Sequence, residues 1–134
     1  MSQCILVVDD DGDVRELVCR MLEQDGYRAV PADGGKQALD QLGLLNPDLV
    51  ITDVVMPEVD GFEVLLKLRN LAPKAKALVI SGGGRVGPDI YLETARRLGA
   101  GVVLRKPFTR AEMLEAVRQA LGQNTVLQLH RQEP

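Results

Sequence analysis

The 134-residue sequence is poor in aromatic residues and has no excess of positive charge. It contains no tryptophan, aromatics make up 3% of it, and 16 Lys and Arg are outnumbered by 19 Asp and Glu, giving a formal net charge of −3. Such a chain has little material for stacking on bases and the wrong charge for a sequence-independent hold on phosphate backbones. We therefore expect no direct nucleic-acid partner.

Long apolar runs and a cysteine framework are also missing. The run Cys4–Val8 is far shorter than the ~20 residues that a membrane-spanning helix needs, and no basic segment precedes a longer apolar one at the N-terminus. Cys4 and Cys19 have neither the spacing of metal ligands nor the density of a disulfide framework. We predict a cytoplasmic protein that makes no membrane contact.

Five short apolar stretches alternate with helical patterns along the chain. Most of the apolar stretches are rich in Val, Ile and Leu without polar alternation, as is typical of parallel strands covered on both faces; they span residues 5–8, 28–32, 49–52, 77–80 and 102–104. The first helical pattern is an apolar stripe over residues 14–22, and the others span 35–45, 61–71, 89–98 and 110–121.

Strict alternation of strand and helix predicts an α/β fold in one domain, residues 1–122, followed by a short C-terminal tail, residues 123–134. The expected architecture is a single doubly wound sheet of five parallel strands, flanked by five helices, in the flavodoxin-like order 2-1-3-4-5. Capping boxes are predicted for the first and last helices, formed by Asp13 with Glu16 and by Thr109 with Glu112.

Polar side chains follow the predicted strands at their carboxyl ends, where open α/β sheets bind ligands. The first strand runs into Asp9, Asp10 and Asp11, the third into Asp53, the fourth into Ser81 and the fifth into Lys106. In the order 2-1-3-4-5 the first and third strands are neighbours. We therefore expect their carboxylates to share one crevice.

Carboxylates that share a crevice favour a bound cation. Two of them about 4 Å apart repel by roughly 1 to 4 kcal/mol at effective dielectric constants of 80 to 20. An open site with oxygen ligands suits Mg²⁺, and Lys106 and Ser81 supply the donors that a phosphoryl group needs. Asp53, at the end of the central strand, is the best-placed carboxylate to accept a phosphoryl group as an acyl phosphate.

Four sequence blocks together resemble the response-regulator receiver family, over residues 4–121. The blocks, in chain order, are Val-Val-Asp-Asp at 7–10, Ile-Thr-Asp-Val-Val-Met-Pro at 51–57 with Asp-Gly at 60–61, Ile-Ser-Gly at 80–82 and Lys-Pro-Phe at 106–108. Each block alone has little specificity, but four in register at successive strand ends are highly specific.

The resemblance implies a particular role for each site residue. Asp53 is then the phosphoacceptor, Ser81 and Lys106 bind the phosphoryl group, and the Lys106–Pro107 peptide bond is cis. Mg²⁺ is then held by Asp10, Asp53 and the main-chain carbonyl of Val55, with Asp9 assisting through water.

The resemblance also implies a signalling role and not a conventional enzyme. Receivers take phosphate from a sensor histidine kinase or a phosphotransfer protein, and phosphorylation shifts an equilibrium between inactive and active forms. The expected output surface, which in this family often forms homodimers, combines the fourth predicted helix, the fifth strand and the fifth predicted helix. Because no output domain follows, we expect a stand-alone receiver that binds a downstream protein or relays its phosphate.

Two features depart from the family pattern. Val103 occupies the position where the family usually has Tyr or Phe, so a ring switch is absent. Residues 82–88 look like a glycine-rich insertion, which we expect to become ordered on phosphorylation or partner binding.

Two alternative functions stay open. One is a receiver-like scaffold that never turns over phosphate. The other is an aspartyl-phosphate phosphatase, although such enzymes carry a second Asp two residues after the nucleophile, where this chain has Val55, and usually have a cap domain.

Overall fold

The computed structural model describes residues 2–54, 61–82, 97 and 100–122. Its strands are β1 (Cys4–Val8), β2 (Arg28–Ala32), β3 (Leu49–Asp53), β4 (Lys76–Gly82) and β5 (Val102–Lys106), and its helices, numbered in chain order, are α1 (Gly12–Gln24), α2 (Gly35–Leu45), α3 (Gly61–Leu71) and α4 (Arg110–Ala120). The helix predicted over 89–98 lies outside the described residues apart from Arg97, and so do the tail 123–134 and residues 83–88 of the glycine-rich segment.

The five strands form one parallel sheet in the order β2-β1-β3-β4-β5, which confirms the predicted topology. The register aligns Val8 with Thr52 and Asp53 with Ile80, so the carboxyl ends of β1, β3 and β4 lie side by side. Strands β3, β4 and β5 run one or two residues further than predicted, through Asp53, Ser81 and Lys106. These three side chains therefore lie on regular strand backbone.

Each strand sends alternate side chains to two separate apolar layers. One layer packs against α2 and α3, and its largest contributions come from Leu6, Val8, Leu42, Val50, Leu65, Leu68 and Val79. The other packs against α1 and α4, with Ile5, Val7, Leu22, Ile51, Leu78, Ile80 and Met113. Burial of both faces explains why the strand sequences show apolar runs without polar alternation.

The first helix begins differently from the prediction. Its N-cap is Asp11, whose carboxylate accepts hydrogen bonds from the main-chain N–H groups of Asp13 at 3.0 Å and Val14 at 3.4 Å. The predicted capping box of Asp13 with Glu16 is therefore wrong, because the helix starts two residues earlier. The predicted box of Thr109 with Glu112 at the start of α4 is confirmed, with both hydrogen bonds present.

One outer edge of the sheet is formed by β2, which contains Pro31. The carbonyl of the next residue, Ala32, accepts a hydrogen bond from the N–H of Asp9 and so faces β1. The main chain of Pro31 then faces the free edge, because successive residues of a strand direct their main-chain groups to opposite sides. Its missing N–H costs the sheet no hydrogen bond.

Gly61 allows α3 to begin directly against the end of β3. Its N–H donates to the carbonyl of Val54 at 2.9 Å. A Cβ at this position would overlap the main-chain carbonyl oxygen of Asp53 and touch the Cα of Val54. Only glycine fits this close approach without a shift of the backbone that carries Asp53.

We expect Gly61→Ala to lower the free energy of unfolding by about 1–3 kcal/mol, because the added methyl group overlaps main-chain atoms that cannot rotate away. Gly43→Ala is the matched control, since Gly43 lies exposed within α2 and nothing lies within 4 Å of its added Cβ. The control should gain roughly 0.5–1 kcal/mol. Urea unfolding followed by circular dichroism measures both, and equal stability of the two variants would contradict the overlap.

Candidate functional site

Three carboxylates meet at the carboxyl ends of β1 and β3. Asp9 and Asp10 follow β1, Asp53 is the last residue of β3, and one ligand oxygen from each lies within 4.8 Å of the other two. Asp9 and Asp53 are buried, with 1% and 8% exposed, while Asp10 is exposed. The strand order places these acids together, as the sequence predicts, and the group could hold a metal ion.

The ammonium group of Lys106 contacts two of these acids from the end of β5. Its Nζ lies 2.9 Å from Oδ2 of Asp53 and 3.4 Å from Oδ2 of Asp9. Among the described residues of this crevice, three carboxylates therefore share one ammonium group, and negative charge is in excess. Because only 24% of the Lys106 side chain is exposed, solvent screens these ion pairs less than it screens surface pairs.

Burial and charge shift the pKa of two of these groups in the same direction. Burial raises the pKa of the Asp9 carboxyl, and the charge of Asp53 adds to this; the N–H of Asp11, at 2.9 Å, and Lys106 oppose it. For Lys106, burial opposes the ammonium form, but the hydrogen bond to Asp53 and the charges of Asp53 and Asp9 outweigh it and raise its pKa. Lys106 therefore stays charged, and the fold disfavours the ionised form of Asp9.

Main-chain contacts hold Asp53 in place from three directions. The N–H of Val54 donates to the carbonyl of Ile80 at 3.1 Å, the hydroxyl of Thr52 donates to the carbonyl of Asp53 at 3.0 Å, and Gly61 packs on that same carbonyl. This carboxylate is therefore presented by a backbone that β4 and α3 both restrain. Support of this kind fixes the position from which the Asp53 side chain extends.

Ser81, Val55 and the Lys106–Pro107 peptide bond are the remaining predicted features of the site. Ser81 is buried on β4, one residue beyond Ile80, the partner of Asp53. The Lys106–Pro107 peptide bond is cis, which confirms the prediction. Val55 lies outside the described residues. Val103 is half-buried and packs against the apolar layer of α2 and α3.

Two residues of the site were not predicted. In the sequence Gly61 marks a helix start and belongs to the second family block, but its contact with Asp53 depends on how α3 meets the sheet. Arg15, in the first turn of α1, donates a hydrogen bond from Nη1 to the carbonyl of Asp9 at 2.8 Å. A cation at a helix N-terminus is unfavourable for the helix dipole, and this was the one sequence signal that could have indicated a special contact.

The fold and the site together define an open α/β protein with an acidic crevice, a hydroxyl and a lysine at the carboxyl edge of its sheet. The family model described as response regulator receiver domain matches residues 5–118. The chain therefore belongs to the response regulator receiver family.

Curated relatives of two lengths match the chain. Response regulator MprA of Mycolicibacterium vanbaalenii is 39% identical over 121 residues, which cover 90% of this chain and 51% of that protein. A 14.6 kDa protein from the sodA1 3′ region of Leptolyngbya boryana is 38% identical over 115 residues, covering 86% of this chain and 87% of its own. The chain thus spans about half the length of the first relative and most of the second.

Solved structures share the architecture. The receiver domain of NtrX from Brucella abortus has a TM-score of 0.80 and 30% identity, covering 88% of this chain and 98% of that one. A response regulator receiver domain protein from Methanospirillum hungatei has a TM-score of 0.82 over 92% of this chain and 96% of its own, and its 24% identity supports the fold alone.

No helix in the described part of the chain has the length and apolar content needed to cross a membrane.

Replacing the buried charge of Asp9 should stabilise the metal-free protein. A raised pKa means that ionised Asp9 lowers stability above its folded-state pKa, and that this cost disappears as the pH falls toward the ordinary value of 3.8. Asp9→Asn keeps an acceptor for the Asp11 N–H, so we expect a higher free energy of unfolding at pH 7 in chelator and a shrinking difference toward pH 4.

Urea unfolding at a series of pH values measures this difference. Asp40→Asn, which removes an exposed charge on α2, is the control and should stay within about 0.5 kcal/mol of the wild type. An Asp9→Asn variant less stable than the wild type at pH 7 would show that the ion pair of Asp9 with Lys106 outweighs the burial of its charge.

Proposed function

We propose that the chain is a phosphoacceptor switch of a two-component or phosphorelay system, with Asp53 as the residue that is phosphorylated. The observation that carries the proposal is the placement of Asp53 at the end of the central strand, in the acidic crevice and 2.9 Å from the ammonium of Lys106. The family relationship supports the same class of function.

The chemistry proposed for Asp53 is nucleophilic. A carboxylate oxygen of Asp53 attacks the phosphorus of a phosphohistidine on a sensor kinase or phosphotransfer protein. The new P–O bond forms as the P–N bond breaks, and the electron pair of that bond stays on the imidazole nitrogen. The product is an acyl phosphate at a site that Thr52 and Gly61 hold in position.

The residues present fit a Mg²⁺ ion. Oxygen ligands that lie close together with excess negative charge are what a hard divalent cation prefers, and exposed Asp10 leaves room for bound water. We assign the ion to Asp10, Asp53 and the main-chain carbonyl of Val55, with Asp9 acting through water. When bound, Mg²⁺ supplies positive charge that offsets the phosphoryl oxygens.

Lys106 and Ser81 complete the proposed phosphoryl site. The raised pKa of Lys106 keeps it an ammonium ion, which can transfer its contact from the Asp53 carboxylate to a phosphoryl oxygen. The hydroxyl of Ser81 lies on the neighbouring strand and can donate a second hydrogen bond. Phosphorylation adds a charge of about −1.5 to −2, which is what draws such donors inward.

The proposed partners follow from this chemistry. A sensor histidine kinase or phosphotransfer protein supplies the phosphoryl group. A downstream protein reads the result on a surface that combines the helix predicted over residues 89–98 with β5 and α4, and the same surface can pair two copies of the chain. Cytoplasmic localisation is part of the proposal, and the free thiols Cys4 and Cys19 are consistent with it. The switch undergoes its own phosphorylation and dephosphorylation and does not otherwise act as an enzyme.

Phosphorylation by a small donor tests the proposal directly. Incubation with acetyl phosphate or phosphoramidate and Mg²⁺ should add one phosphoryl group per chain to the wild type, measured as intact mass. Asp53→Asn should gain none, and chelator should abolish the gain. Asp40→Asn, with the same change of charge on exposed α2, should be phosphorylated as the wild type is.

Two other outcomes would reject the proposal. Absence of any mass gain in the wild type would favour the receiver-like scaffold. Rapid multiple turnover of a small phosphoester would favour the aspartyl-phosphate phosphatase.

A further inference from the structure

The backbone between β1 and α1 carries three consecutive acids, and several contacts fix its path. The N–H of Asp9 donates to Ala32 on β2, and the N–H of Asp11 donates to the Asp9 carboxylate at 2.9 Å. The Asp11 side chain in turn caps α1. Between these fixed points lies Asp10, which is exposed and is a candidate metal ligand.

A further contact to this loop comes from the side chain of Arg15. This half-buried residue is the fourth of α1, and its Nη1 donates to the main-chain carbonyl of Asp9 at 2.8 Å. That carbonyl belongs to the planar peptide unit that joins Asp9 to Asp10. Fixing its direction therefore fixes where the Cα of Asp10 lies, and with it the starting point of the Asp10 side chain.

The positive charge of Arg15 and its hydrogen bond would have opposite effects on metal binding. A guanidinium ion near a metal site repels a divalent cation, so a purely electrostatic Arg15 would weaken metal binding. The hydrogen bond to the Asp9 carbonyl acts in the opposite direction, because it holds Asp10 where its carboxylate meets those of Asp9 and Asp53. The two roles predict opposite effects when Arg15 is replaced.

We propose that Arg15 is a positioning residue, which orients the Asp9–Asp10 peptide and thereby prepares Asp10 to bind the divalent cation. The inference rests on the proposed function, because it assigns the cation to the same acidic crevice. Its geometric part concerns the metal-free protein and can be measured there. A planar guanidinium suits the role better than an ammonium, since its N–H groups point in fixed directions.

The test compares Arg15→Met and Arg15→Lys with a control on the same helix. Arg20→Met removes the same charge, but Arg20 is exposed and pairs with Glu16 at 2.7 Å. We expect Arg15→Met to weaken Mg²⁺ binding about tenfold by titration calorimetry, and Arg15→Lys to weaken it by a smaller factor. Arg20→Met should bind as the wild type does. Tighter binding in Arg15→Met, or wild-type binding in both Arg15 variants, would overturn the inference.

A second measurement needs no metal. Amide hydrogen exchange in chelator should be faster at Asp11, whose N–H donates to the Asp9 carboxylate, in Arg15→Met than in the wild type and Arg20→Met, because the loop loses one of its fixed points. Unchanged exchange would show that Arg15 does not position the loop, and would overturn the inference even if Mg²⁺ affinity fell.

The phosphorylation rate separates positioning from general damage. With acetyl phosphate, Arg15→Met should reach the wild-type rate at saturating Mg²⁺, because only the affinity for the cation has changed. A lower rate at every Mg²⁺ concentration would mean that the surroundings of Asp53 are disturbed, against the inference. Failure of the wild type to bind Mg²⁺ overturns the proposed function and the inference together, whereas unchanged binding in Arg15→Met overturns the inference alone.

Discussion

The crowding of negative charge at the ends of β1 and β3 is the constraint on which the rest of this structure depends. Two buried carboxylates and one exposed one share a space that a single ammonium group only partly neutralises. Protein interiors tolerate such an arrangement only with compensation from nearby groups. Lys106, from the end of β5, and the N–H of Asp11, from the loop before α1, both bond to these carboxylates.

The regular sheet turns distant sequence positions into neighbours. Asp9 and Asp53 are far apart in the chain, yet the parallel register of β1 with β3 brings their strand ends level. The same register through β4 and β5 delivers Ser81 and Lys106 to that edge. The two apolar layers on either side of the sheet are therefore also what keeps the acidic crevice together, since either layer moving against the sheet would shift a strand end.

The sequence predicts those parts of the fold and of the site that depend on apolar periodicity and on the order of the strands in the sheet. Apolar runs predict all five strands and the bounds of α2 and α3. Strand order then predicts that four side chains meet at one edge of the sheet, namely Asp9, Asp10, Asp53 and Lys106. The start of α1 does not, because Asp11 and Asp13 are both good caps and only the tertiary position of the helix decides between them. Contacts to main-chain carbonyls, such as those of Arg15 and Gly61, leave no periodic trace in a sequence.

The proline in β2 has a consequence for how these molecules meet one another. An exposed sheet edge is a template on which another chain can add a strand, and such growth leads to aggregation. At the β2 edge, Pro31 withholds a hydrogen-bond donor that an incoming strand would require. Pro31 therefore disfavours extension of the sheet on that side, because it removes one of the donors that an added strand would pair with.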